Sequence, residues 1–214
     1  MKTKISIFIV MMWLGSNYSQ AQQYYAIGDT ISGNGFTYVC DLDPGTPELG
    51  MSSSGFIRVR NLNNILTDQV KTYRNGDTIY YNPLVKHPNP YTNDYVYMIQ
   101  CNIFNFVLDL RDKNNAEQDR LMMDFYIDSD TGHLLEIEFL MNPYNEGFTK
   151  ITPEKLFRIE TMLKEQLIFQ MTSVGQNYNF NKAFSFFRGR DIGMTYDFNR
   201  GEFIVPTDGP IVKP

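Results

Sequence analysis

The sequence predicts an α+β protein: an antiparallel β-rich N-terminal part, followed by a C-terminal antiparallel sheet packed with two helices. Three observations carry that class. Short apolar and alternating runs, broken by Gly, Asn and Pro, dominate the N-terminal half. A helix with a full set of start signals opens at Thr152. No period of roughly 20 to 50 residues repeats, which excludes a solenoid or a propeller. At 214 residues, with 43% hydrophobic, 20% charged and 14% aromatic content, the chain can bury a sizeable core.

Residues 1–21 are expected to be a signal peptide and to take no part in the fold. Lys2 and Lys4 precede an apolar run from Ile5 to Leu14 that is too short to span a bilayer, and Ser19 and Ala21 supply the small residues a signal peptidase reads. Cleavage before Gln22 gives a periplasmic or secreted chain. No later stretch has the roughly 18 apolar residues of a membrane helix. Beyond the leader, a β-rich part at 22–90 and an α+β part at 91–206, which can form one domain with it, precede a loose tail at 207–214.

Tyr24 to Ile31 and Phe36 to Leu42 flank Ser32-Gly33-Asn34-Gly35 and read as a hairpin, with Cys40 in its second strand. After Pro44 a Gly- and Ser-rich loop leads to Phe56–Arg60, a strand with Ile57 and Val59 on one face and Arg58 and Arg60 on the other. Asn75-Gly76 is the strongest hairpin turn, set between Val70–Arg74 and Thr78–Tyr81. The prolines from Pro83 to Pro90 exclude a central strand and mark a linker or an exposed crossover. Tyr95, Met98, Ile99, Ile103, Phe106 and Val107 then recur at three and four residues, predicting a helix from about 93 to 107 behind a Thr92 or Asn93 cap.

Arg111 to Gln118 reads as a polar loop. Leu121–Ile127 and Leu134–Leu140 form a hairpin in which Leu135, Ile137 and Phe139 face the core and Glu136 and Glu138 face water. Thr152 supplies an N-cap oxygen, Pro153 occupies the first helical position, and Leu156, Ile159, Leu163 and Leu167 line one face. Glu154 with Arg158 and Glu160 with Lys164 are spaced to pair at i,i+4. Leu167–Met171 and Ala183–Arg188 read as strands, and Met194–Phe198 with Glu202–Val205 as a last hairpin.

A formal net charge of −5, more negative once Lys2 and Lys4 leave, does not attract phosphate backbones, and Arg188 with Arg190 is only a short local cluster; nucleic acid is set aside as a partner. Cys40 and Cys101, in an exported chain, read as one disulfide, with two free buried thiols as the alternative. No C-x-x-C or Cys/His cluster with metal spacing is present, so neither metal nor cofactor is expected. Asp130-Thr131-Gly132 matches the triplet of aspartic proteases but stands in a single copy, and a hairpin turn accounts for it. A calcium loop starting at Asp128 would need an acid where Phe139 stands. His87 and His133, the only histidines, leave little for a Ser/His/Asp site.

These absences favour an exported, non-enzymatic binding or assembly module, with an envelope protein or glycan as partner. Tyr80, Tyr81, Tyr91 and Tyr95 are the candidate binding residues, since Tyr pairs apolar area with a polar edge. The rival is an envelope hydrolase whose carboxylate pair sequence spacing does not reveal. A third reading is an exported inhibitor-like protein acting through a sheet edge, for which an unpaired exposed strand is the cue.

The hairpin, capped helix and strand from Leu121 to Met171, with Tyr126-Ile127-Asp128 through Gly132 to Glu138, resemble the C-terminal half of the TonB C-terminal domain. The chain lacks that family's Pro-rich spacer, so the resemblance implies a fold and not energy transduction. Phe36-Thr37-Tyr38-Val39-Cys40-Asp41 and Thr131 to Phe139 are similar to strands of an uncharacterised exported bacterial family classed as a domain of unknown function. That likeness implies an envelope or secreted location and an α+β fold, and transfers no functional residue.

Overall fold

A computed structural model describes residues 23–44, 55–79, 91–92, 95–145 and 147–204. The expected leader, the tail and Tyr80, Tyr81 and the Pro83–Pro90 crossover lie outside the described residues. The architecture is α+β, as expected. Its main sheet has six strands in the order β1 (Thr30–Gly33), β2 (Phe36–Leu42), β3 (Ile57–Asn61), β6 (Leu134–Met141), β5 (Arg120–Ile127) and β8 (Asn181–Arg188), each pair antiparallel. β3 from the N-terminal half pairs with β6 from the C-terminal half, so both halves build one sheet. Two small ribbons accompany it, β4 (Tyr91–Thr92) with β7 (Gln170–Met171) and β9 (Thr195–Asp197) with β10 (Glu202–Ile204).

One face of the sheet is covered by α1 (Val96–Val107) and α3 (Pro153–Gln166), which also pack on each other. The registers put Cys40, Val59, Phe139, Met123 and Ser185 in one row across this face, and all but Ser185 are buried. Polar pegs fix the helices over it. Gln100 of α1 hydrogen-bonds Ser185 at 2.9 Å, and Tyr38 of β2 donates to Glu160 of α3 at 2.7 Å, while Lys164 donates to the other Glu160 oxygen. The expected Glu160/Lys164 pair therefore forms, but around a buried carboxylate. Phe104 of α1 stacks on Phe187 of β8 with ring centroids 4.0 Å apart.

α3 is built as its start signals require: Thr152 caps it by accepting from the Lys155 amide, and Pro153 opens it. Elsewhere the chain departs from expectation for local reasons. α1 begins at Val96, behind Tyr95, with no side-chain cap. The segment read as a loop after Arg111 contains α2 (Leu110–Ala116), nucleated by a capping box in which Asp109 accepts from the amides of Arg111 and Asp112 and Asp112 accepts from the Asp109 amide. A seven-residue helix this polar has no apolar period to announce it. The Asn75-Gly76 turn forms, with Gly76 at φ 90° and the Tyr73 amide donating to the Asp77 carbonyl at 3.0 Å; among the described residues its arms pair at the bridge Thr72–Thr78, and Tyr73 also bridges Tyr178. β1 covers only the last part of the run from Tyr24.

The expected disulfide is absent: Cys40 and Cys101 are both free and buried. Cys40 lies in β2, whereas Cys101 belongs to α1, which packs on β8 and β9. Four strand spacings, roughly 19 Å, separate β2 from β8, and a disulfide needs Cα atoms within about 7 Å.

Candidate binding face

The face of the sheet away from α1 and α3 carries charged side chains of both signs from five strands. Successive residues of a strand point to opposite faces, so the even-numbered residues of β3, β5, β6 and β8 gather here. Three rows result. Glu136, Tyr126 and Lys182 form the first; Val39, Arg60, Glu138, Asp124 and Phe184 the second; Asp41, Arg58, Leu140, Met122 and Phe186 the third. At the end of β5 and β8, Arg120 stands directly opposite Arg188.

Sequence alternation assigns Glu136 and Glu138 to this face correctly, but it is not wet at that point. Glu136 is 7% and Glu138 2% exposed. After β3 the chain runs over β6 as an irregular strap from Leu62 to Ile79. The Asn64 side-chain amide donates to the Ile137 carbonyl at 3.0 Å, and the backbone amides of Ile65 and Leu66 donate to the Glu136 carboxylate at 2.7 and 2.9 Å, capping the 3-10 turn Leu66–Asp68. Glu138 accepts from the Thr67 hydroxyl and from the Tyr126 hydroxyl, the latter at 3.0 Å, and lies 3.9 Å from the Arg58 guanidinium. The strap then reaches the approach to β8, where Thr72 and Val70 bond the Asn179 side chain. Both glutamates thus hold the strap, and neither is solvated.

Around them the ion pairs are closed. Asp41 bridges Arg58 and Arg60 at 3.4 and 3.2 Å, and Lys182 binds Asp124 at 2.8 Å while lying 5.0 Å from the Tyr126 ring centroid. Burial opposes the Lys182 charge, but Asp124 and Tyr126 beside it outweigh that and hold the ammonium well above the usual lysine range. Burial, reinforced by Glu138, pushes the Tyr126 hydroxyl up to about 12. The strap leaves the β8 end of the face open: Phe184 is 58% and Phe186 38% exposed, and among the described residues β8, the edge strand, pairs with β5 alone.

A second ionic cluster lies at α2, where Lys155 of α3 binds Asp109 at 2.9 Å and Asp112 at 2.5 Å beside a cleft that Tyr24, Arg111, Lys150 and Thr152 also line. Burial raises the Asp109 carboxyl, but Lys155 and the amides of Asp112 and Arg111 outweigh it and bring it down to about 2. The same groups cap α2, which accounts for the cluster. At the hairpin tip Asp128 accepts from the amides of Asp130 and Thr131, and a Cβ on Gly132, at φ 75°, would lie 1.8 Å from the Phe169 carbonyl oxygen. The Asp130-Thr131-Gly132 triplet is a tight turn docked on its neighbour.

Of the four candidate tyrosines, Tyr80 and Tyr81 lie outside the described residues, and Tyr91 is placed only by its backbone pairing with Met171. Tyr95 is 55% exposed at the start of α1, its ring 6.1 Å from that of Phe198, on the helix side of the molecule and not on the ionic face. Cys40 and Cys101 carry no reactive thiol, since burial pushes both up to about 12. No group of three or more His, Cys, Asp or Glu suited to a metal occurs among the described residues, and no described helix is long and apolar enough to cross a membrane. Sequence reading missed Phe184 and Phe186. The signal lay in Phe186-Phe187, two adjacent apolar residues that a strand must send to opposite faces.

Residues 21–185 match the model of a family described as "Domain of unknown function (DUF5043)". Among solved structures the chain is similar to a DUF5043 family protein from Bacteroides uniformis ATCC 8492, with a TM-score of 0.63 and 22% identity over 78% of this chain and 88% of that one, a likeness of fold. No curated protein matches the chain.

Proposed function

We propose that this chain, which belongs to the DUF5043 family, is an exported, non-enzymatic binding module that engages its partner through the β8 edge of its sheet. The observation that carries this reading is the eight-residue edge strand β8, which holds Phe184 and Phe186 out to solvent. Long apolar edges invite pairing, and folded proteins ordinarily blunt them. The leader features at Lys2 to Ala21 support export, and the family match begins where that leader is expected to end.

The fate of the buried carboxylates favours binding over hydrolysis. Glu136 and Glu138 hold the strap, Glu160 accepts from Tyr38 and Lys164, and Asp112 joins Lys155 and the α2 cap. Asp119 accepts from the Phe148 and Arg120 amides, and Asp191 from the Tyr97 hydroxyl. Each has a structural partner, whereas a hydrolase needs two carboxyls in contrasting environments facing a common space. The inhibitor-like reading uses the same edge and differs only in the partner's identity.

The test is capture of partners from the cell envelope on immobilised Gln22–Pro214, set against the same chain carrying Phe184→Lys and Phe186→Lys, with proteins and glycans identified by mass spectrometry. A saturable partner retained by the parent and lost by the folded variant is the expected result. A parent that retains nothing, or a partner held equally by both, overturns the proposal.

A further inference from the structure

We infer that β8 accepts an extended segment of a partner protein as a seventh strand, and that the segment carries an acidic residue opposite Arg188 and apolar residues opposite Phe186 and Phe184. This deepens the binding-module reading and rests on it. From Ala183 to Arg188 the outer edge of β8 bonds to no other strand among the described residues. A strand added there extends the existing rows by one residue each.

Those rows set the chemistry of the newcomer. Arg120 and Arg188 face each other across β5 and β8 with no acidic partner among the described residues, an arrangement that costs stability in a sheet. The Nε of Arg188 is buried without a hydrogen-bond partner among the described residues, and its guanidinium lies 5.5 Å from the Phe186 ring centroid. Among the described residues Arg190, just beyond, reaches only its neighbour Asp191, at 3.8 Å. Positive charge thus collects at one end of an apolar edge. A carboxylate placed opposite Arg188 lies within a cross-strand spacing of it and relieves the unmatched row. One row along, Met122 and Phe186 ask for an apolar neighbour, and beyond that Phe184 extends the apolar strip.

Every pairing in the sheet is antiparallel, so the segment reads acidic, any, apolar, any, apolar from its N-terminal end. A second copy of β8 does not meet this requirement. Antiparallel self-pairing about Ser185 sets Phe184 against Phe186 but brings Lys182 against Arg188, like against like.

The test titrates Gln22–Pro214 with a fluorescent peptide containing Asp-Thr-Val-Thr-Val, and with its counterpart in which the Asp is Lys, read by anisotropy and by amide hydrogen exchange of β8. The Asp peptide is expected to bind about tenfold more tightly than the Lys peptide and to slow exchange between Ala183 and Arg188. Arg188→Glu is expected to reverse that preference, a gain that misfolding does not mimic. Binding without charge preference, or without slowed exchange in β8, overturns the inference. So does dimerisation of the free chain through β8, seen in sedimentation and altered by Arg188→Glu. If neither peptide binds while the envelope capture yields a partner sensitive to Phe184→Lys and Phe186→Lys, the segment pattern falls and the binding-module reading stands; if both experiments are empty, both fall.

Discussion

On the helix side of the sheet, the row Cys40–Val59–Phe139–Met123–Ser185 lies under two regular helices, buried but for Ser185, whose hydroxyl is answered by Gln100. One residue along the same strands, the row Val39–Arg60–Glu138–Asp124–Phe184 mixes charges of both signs and is covered, over part of its length, by an irregular strap. The first face is closed by apolar packing with polar pegs. The second is closed by hydrogen bonds to carboxylates, and where those carboxylates end, so does the cover. Burial on the two faces thus rests on different forces, and substitutions separate them.

The largest effect is expected on the helix side. Phe139→Ala removes a fully buried ring and should cost about 3–5 kcal/mol in chemical unfolding; a cost near zero would mean that the helices do not close this face. Glu138→Gln should cost about 2 kcal/mol, because the Thr67 and Tyr126 hydroxyls lose a charged acceptor, while Arg58 keeps its ion pair with Asp41. Glu136→Ala, which frees the Ile65 and Leu66 amides, should cost about 1 kcal/mol and speed amide exchange in the strap while leaving α1 and α3 protected. If exchange in α1 quickens equally, the two faces are not independent.

Acid titration sharpens the contrast from the helix side. The folded Asp109 carboxyl is depressed to about 2, so its contribution is present above the ordinary carboxylate range near pH 4 and is lost as pH falls toward 2. Asp109→Asn should flatten the stability curve across that window and leave it unchanged near neutrality apart from a constant offset. The smallest effect belongs to the uncovered edge: Phe184→Ser should change stability by under about 0.5 kcal/mol while weakening partner capture. A larger loss would place Phe184 in the fold's own packing.

The helix side was the more legible in the sequence, because its determinants are local. Thr152-Pro153-Glu154 announces α3 within three residues, and Phe36–Leu42 shows its strand by alternation. α2 escaped because a capping box between Asp109 and Asp112 replaces an apolar period. The direction in which Glu136 and Glu138 point was legible as well; their burial was not, since it depends on Ile65, Leu66 and Thr67, some 70 positions earlier in the chain. The disulfide reading failed on the same ground, because strand order and not cysteine count sets the distance between Cys40 and Cys101. Arg120 and Arg188 gain their meaning only when β8 pairs with β5.

The open edge also governs how the protein behaves when concentrated. Lys182 and Arg188 act there as gatekeepers, since two such edges approaching each other bring these cations together. Their repulsion reaches about 10 Å at 0.1 M salt and only about 3 Å at 1 M. Added salt therefore removes the guard without weakening the attraction between the exposed phenylalanines. The colloidal stability of this chain should fall as ionic strength rises.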